Sequence, residues 1–235
     1  MAYPAVGGPY GFLPVNLLGG QVYAGSTRQL PIASAYGSNI GFGDLVSIIS
    51  DGTVTRIDTT GAKNTFALKP VGVFLGCSYT DPTLGYKLFK QSWPKSTVAS
   101  DAVAIIADDP DIIMKAAVGN ASAVVVTASG ITAGDVGSNI GYFTKTNATG
   151  WVDGVNTATG DSASLIDYNS VGVAVTLPFR VVGVVKETQL SDGTYCECLV
   201  KFNEPYIALL QATTSPYTVT ATSTGGHQYR NPVGI

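Results

Sequence analysis

Few residues of this chain are of the kinds that do proton, metal or covalent chemistry, and their spacing suits structure better than catalysis. His227 is the sole histidine of 235 residues, next to the Gly225-Gly226 pair in a polar tail. A histidine in that setting is expected to be solvated. A serine hydrolase needs an activated serine, a base and an orienting acid, and Ser129-Gly130 lacks the Gly-x-Ser-x-Gly elbow. Asp108, Asp109 and Asp111 have the chemistry for calcium binding or for glycoside hydrolysis. They lack the spacing of a calcium loop and have no second acidic group close in sequence. The reading is a turn solvated by its carboxylates.

Cys77, Cys196 and Cys198 are too few and too oddly placed for a disulfide framework. On a strand, Cys196 and Cys198 share one face with Val200 and Phe202. Zinc wants four ligands, so the pair reads as two small core residues, and reduced thiols fit assembly inside a cell. No phosphate-binding loop is present. Only Lys87–Trp93 interleaves cations with aromatics, and it reads as an amphipathic strand with snorkelling lysines rather than a base-stacking surface. Asn120-Ala-Ser122 and Asn147-Ala-Thr149 match glycosylation acceptors, but no secretion signal accompanies them. The expectation is a non-enzymatic protein with no cofactor, no metal and no small-molecule substrate.

Composition supports that direction. Charged residues make up 12% of the chain, about half the usual share, and the net charge is -3. This gives no electrostatic footprint for nucleic acid or an anionic membrane. Little self-repulsion leaves room for extensive protein–protein contact. No run of about 18 apolar residues suggests a transmembrane helix. Residues 1–25 lack a basic start followed by an unbroken apolar stretch, so no signal peptide is expected and synthesis is placed in the cytoplasm.

The elements that must position these residues are strands. Ser-Asp-Gly-Thr occurs at Ser50–Thr53 and again at Ser191–Thr194, each time between apolar runs. Asp-Gly reads there as a tight type I′ hairpin. Leu45–Ile49, Thr53–Ile57, Pro70–Leu75, a Cys77–Trp93 hairpin, Ala102–Ala107 and Phe179–Phe202 read as β. Val54 and Arg56 fall on one face of their strand, Thr53, Thr55 and Ile57 on the other. Ile112–Val118 follows Asp109-Pro110, a regular helix start, but its shortness and β context favour a strand. Gly37-Ser-Asn-Ile-Gly41 recurs as Gly137-Ser-Asn-Ile-Gly141, and Pro70-Val-Gly-Val is echoed by Val181-Val-Gly-Val184. These echoes point to two related β units.

The organisation expected is an extended arm over 1–26, a first β unit over 27–120, a second over 121–210 with a loop excursion at 144–164, and an extended tail over 211–235. The arm carries Tyr10, Phe12, Leu13, Val15, Leu17 and Leu18 among glycines and prolines that prevent a helix. It either packs over its own core or reaches a neighbouring subunit. Those six residues and Tyr229 are the candidate interface residues.

The succession Gly43-Asp44-Leu-Val, Ser50-Asp-Gly-Thr-Val-Thr, Pro70-Val-Gly-Val-Phe-Leu resembles the β-tulip core of tailed-phage head decoration (capsid cement) proteins. More widely, Gly11–Gly20, Asp108–Asp111, Arg180–Val184 and His227-Gln-Tyr229 are similar to virion structural proteins of cyanobacterial and environmental phages. The resemblance implies an all-β fold with a β-tulip or β-barrel-like core plus a second β unit. It also implies a homotrimer on the outer capsid surface of the virion, with the major capsid protein as partner. A tail-tube or connector subunit is one alternative. Others are a carbohydrate-binding module using Trp93 and Trp151, and a carboxylate-dependent hydrolase built on Asp108, Asp109 and Asp111.

Overall fold

The computed structural model describes residues 8–57, 69–119, 130–144, 151–173, 177–188, 196–203 and 227–230. The protein is all-β, with three short 3₁₀ turns as its helical elements among the described residues. The second Ser-Asp-Gly-Thr copy, both glycosylation-like triplets, Ser129 and most of the 211–235 tail lie outside the described residues.

Two small hydrogen-bonded rings make up the body. The first contains β2 (Arg28–Pro31), β3 (Leu45–Ile48), β4 (Val54–Arg56), β5 (Gly72–Thr80), β6 (Lys87–Lys90) and β7 (Val103–Ala107). Its order is β2-β7-β5-β3-β4, with β6 on the side of β5. One parallel bridge, Ile32 to Val54, joins the two ends and closes the ring. Closure removes open edges along that path, which would otherwise invite pairing with other chains; β6, off the path, is the exception. Alternate strand residues point inward, so Ile32, Ile40, Val46, Val54, Phe74, Tyr79, Trp93 and Ile106 fill its core. Leu45, Ile57, Val73 and Ala107 face the other way and join the core of the second ring.

The second ring contains β1 (Phe12–Leu17), β8 (Ile112–Gly119), β9 (Asn139–Thr144), β12 (Ser164–Gly172), β13 (Phe179–Val185) and β14 (Glu197–Phe202). The order β1-β8-β12-β9-β13-β14 closes because β8 also pairs with β14. One edge of β8 is shared, by β1 along Ile112–Ala116 and by β12 at Val118–Gly119. Cys196, Cys198, Val200 and Phe202 line the interior together, as their spacing requires. All three cysteines are free and buried, and burial pushes the Cys77 thiol up to about 12.

Three expectations need correction. Of the two arrangements expected for the arm, residues 8–26 take packing on their own chain, and not as an extended arm: Phe12–Leu17 is a strand of the second ring, and Phe12 stacks on Phe179 at 4.9 Å inside it. The units divide at the acidic turn rather than at residue 120, since Ile112–Gly119 is the central strand of the second ring. The 144–164 excursion holds a two-stranded sheet, β10 (Trp151–Val152) and β11 (Val155–Asn156).

The turn chemistry is exchanged as well. At Asp51-Gly52 only the glycine has positive φ, +81°, and the Ile49 carbonyl accepts the Gly52 N–H at 2.8 Å. That is a type I turn closed by a left-handed glycine, not type I′. The type I′ signature, positive φ at both central residues, occurs at Asp153 (+53°) and Gly154 (+72°).

Candidate interaction face at the acidic turn

The chain crosses from the first ring to the second through Asp108-Asp109-Pro110-Asp111. The Asp109 carboxylate accepts the Asp111 N–H at 2.8 Å, which shapes the turn locally. Its other carboxylates are engaged by side chains from elsewhere in the chain. Arg28 Nε meets Asp108 Oδ2 at 2.6 Å, and the Tyr229 hydroxyl donates to the same oxygen at 3.0 Å. The Arg28 guanidinium also lies over the Tyr229 ring, 5.4 Å from its centroid. Arg230 Nη2 reaches Asp111 Oδ1 at 2.7 Å, while the Asp111 carbonyl accepts the Leu18 N–H at 2.9 Å. The turn therefore gathers a segment from each end of the chain. The reading of a turn solvated by its carboxylates is thus modified: Asp108 is nearly buried under Arg28 and Tyr229, while Asp111 stays partly exposed beside Arg230.

The C-terminal segment at the turn is a clasp. Gln228 forms a two-way hydrogen-bonded pair with the Ile48 backbone, accepting its N–H at 2.9 Å and donating to its carbonyl at 2.8 Å. The Gln228 N–H donates to the Pro70 carbonyl at 2.7 Å. His227 is buried edge-on between Phe202, at 5.3 Å, and Tyr229, at 5.2 Å. It is not the solvated loop histidine expected. Burial is the main reason its pKa falls to about 4; it outweighs the opposing Val71 backbone contact and Asp108, with Arg230 lowering it slightly further and Asp109 opposing least. One short segment thus touches β3 of the first ring, β14 of the second and the turn between them.

Of the seven candidate interface residues, the structure brings Leu18 and Tyr229 to this face. Leu18 is 44% exposed and Tyr229 46%, and Val22, which sequence reasoning passed over, is 76% exposed. Val22 bridges Asn16 in the tight turn after β1, four residues beyond Leu18 in the chain. Leu17 is half-buried against the second core. The remaining four lie elsewhere. Phe12 is interior, Leu13 is half-buried opposite Lys115, and Val15 is half-buried at a bulge in β1. The Tyr10 hydroxyl donates to Glu197, whose carboxylate also holds Lys115 Nζ at 3.0 Å. Tyr10 is therefore engaged within its own chain. Trp93 is wholly buried, edge-on to Tyr79 at 5.2 Å, and is no platform for a sugar.

A second polar centre fastens the rings. Asp44, buried, holds Arg56 Nε at 3.1 Å, the Gly41 N–H at 2.7 Å and the Ser162 hydroxyl at 2.5 Å. Burial raises the Asp44 pKa, opposed first by Arg56 and then by the hydrogen bond from Ser162. The Arg56 guanidinium also donates to the Asp153 carbonyl. The β10–β11 hairpin is thereby pinned to the loop before β3, where Phe42 pairs with Asp161. A carboxylate held by two hydrogen-bond donors and one ion pair in this way is an anchor for main chain.

Among the described residues, no group of three or more His, Cys, Asp or Glu side chains is arranged to hold a metal ion. No described helix is long and apolar enough to cross a membrane. The fold and the site define an all-β protein of two fastened rings with one apolar, tyrosine-bearing face at their junction. Comparisons with family models, with curated proteins and with solved structures give no match.

Proposed function

We propose that this chain is a non-enzymatic virion structural protein that decorates the outer surface of a phage head and stabilises it. The observation that carries the reading is the convergence of Leu18 and the 227–230 segment on the Asp108–Asp111 turn, where Leu18 and Tyr229 stay partly exposed and Val22 is exposed in the turn that follows Leu18. Tyr and Arg are enriched at contact hot spots, and exposed aliphatic residues near them add apolar area to bury. The two rings behind them are locked by the Asp44–Arg56 pair and the Gln228 clasp, so little ordering cost accompanies docking.

Cementing then works by burial of that face against the major capsid protein, at about 25 cal/mol per Å² of apolar surface. Copies arranged as homotrimers multiply a modest contact through effective concentration. Phe12 has no part in the contact, because it fills the second ring. Electron microscopy of purified heads incubated with the protein tests the reading. Three-lobed density at three-fold positions on the outer surface supports it. Assembly of the chain into open rings without heads contradicts it and favours a tail-tube subunit.

A further inference from the structure

We propose that β6 is a second, separate contact site, through which two copies of this chain join edge to edge by antiparallel strand pairing about a two-fold axis. The proposal does not rest on head binding. In the first ring β6 pairs only with β5, through Cys77–Thr80, and lies off the closed path of strands; its outer edge has no strand partner among the described residues. The Tyr86 carbonyl accepts the Asp81 N–H at 3.1 Å. Backbone groups alternate sides along a strand, so those of Leu88 and Lys90 also turn toward β5. Those of Lys87 and Phe89 turn outward. The Phe89 side chain is 76% exposed on this edge.

The occupant follows from the order of side chains. Tyr86-Lys87-Leu88-Phe89-Lys90 is self-complementary when reversed about Leu88. In that register Lys87 opposes Phe89 of the partner subunit on one sheet face, and Tyr86 opposes Lys90 of the partner subunit on the other. Both pairs are repeated by the two-fold, as an isologous interface demands. The outward N–H and C=O groups of Lys87 and Phe89 fall into hydrogen-bonded pairs in the same register. Lysines on a sheet edge ordinarily discourage pairing. Here each ammonium meets an aromatic ring rather than another ammonium, which is attractive.

Sedimentation velocity of the full chain over a concentration series tests this with three proteins. The wild type should show a concentration-dependent dimer. Phe89→Lys sets lysine against Lys87 of the partner subunit twice, and the dissociation constant should rise about tenfold or more. Adding Lys87→Glu to Phe89→Lys restores an opposite-charge pair in this register only, and dimerisation should return. Phe89 is exposed in the single copy, so circular dichroism should show all three folded. A wild type that stays monomeric, an assembly indifferent to Phe89→Lys, or a double variant that does not recover would each overturn the proposal.

Discussion

Ser162, two residues before β12 of the second ring, donates its hydroxyl to the Asp44 carboxylate of the first at 2.5 Å, while Arg56 holds the other carboxylate oxygen at 3.1 Å. The two rings are thus joined by a buried ion pair completed from both sides. Removing one member of such a pair leaves an uncompensated buried charge, which costs about 3–5 kcal/mol.

Arg56→Met should therefore lower unfolding stability by about that amount, measured by urea denaturation. The double variant Arg56→Met/Asp44→Leu should lose less than Arg56→Met alone, because no charge is then stranded. Equal or greater loss in the double variant would show that the pair does not act as a coupled fastener.

The His227 clasp gives a pH dependence with a definite sign. Its folded pKa is about 4, below its ordinary value of 6.5. Folding is therefore supported above pH 6.5, and the support is lost as pH falls from 6.5 through 4. The swing is about 3 kcal/mol at most. His227→Leu should flatten the stability profile in this window relative to wild type, in denaturation curves at matched pH. Parallel profiles for the two proteins would show that the ring is not held neutral by burial.

The two Val-Gly-Val echoes differ in what they ask of glycine. A Cβ on Gly72 would lie 2.1 Å from the Ala107 carbonyl oxygen, so Gly72→Ala must force β5 and β7 apart. A Cβ on Gly183 would meet Leu199 Cδ1 at an ordinary 3.5 Å. Gly72→Ala should cost about 2 kcal/mol or more, whereas Gly183→Ala should be neutral or stabilising by about 0.5–1 kcal/mol. Thermal denaturation of the two variants compares them directly.

This contrast also marks how much was legible in the residues. Local periodicity exposed the strands: the Cys196, Cys198, Val200 and Phe202 face and the Phe179–Phe202 hairpin stand as read, and both Ile40 and Ile140 of the repeated motif are core residues. Closure of the rings was not legible, because the Ile32 to Val54 bridge and the β8–β14 pairing join segments that are not neighbours in sequence. The clasp was hidden for a related reason. His227 sits beside glycines in a polar tail, and only the cavity formed by Phe202 and the turn makes it a core residue. Asp108 looked solvated because Arg28 and Tyr229, its partners, are remote in the chain. The Asp153-Gly154 hairpin was legible in principle as an Asp-Gly pair between Val152 and Val155, and was masked by its polar surroundings.

The central claim is that the face built on the acidic turn holds the protein to a phage head. It is tested most directly by co-sedimentation of the purified protein with empty tailed-phage heads, those from the chain's own source first, wild type against Leu18→Asp/Val22→Asp. Both side chains are exposed, so the variant should fold and melt as wild type does. The expected result is saturable binding by the wild type and at least tenfold weaker binding by the variant. Wild-type protein that stays in the supernatant, or a variant that binds equally well, would contradict the claim.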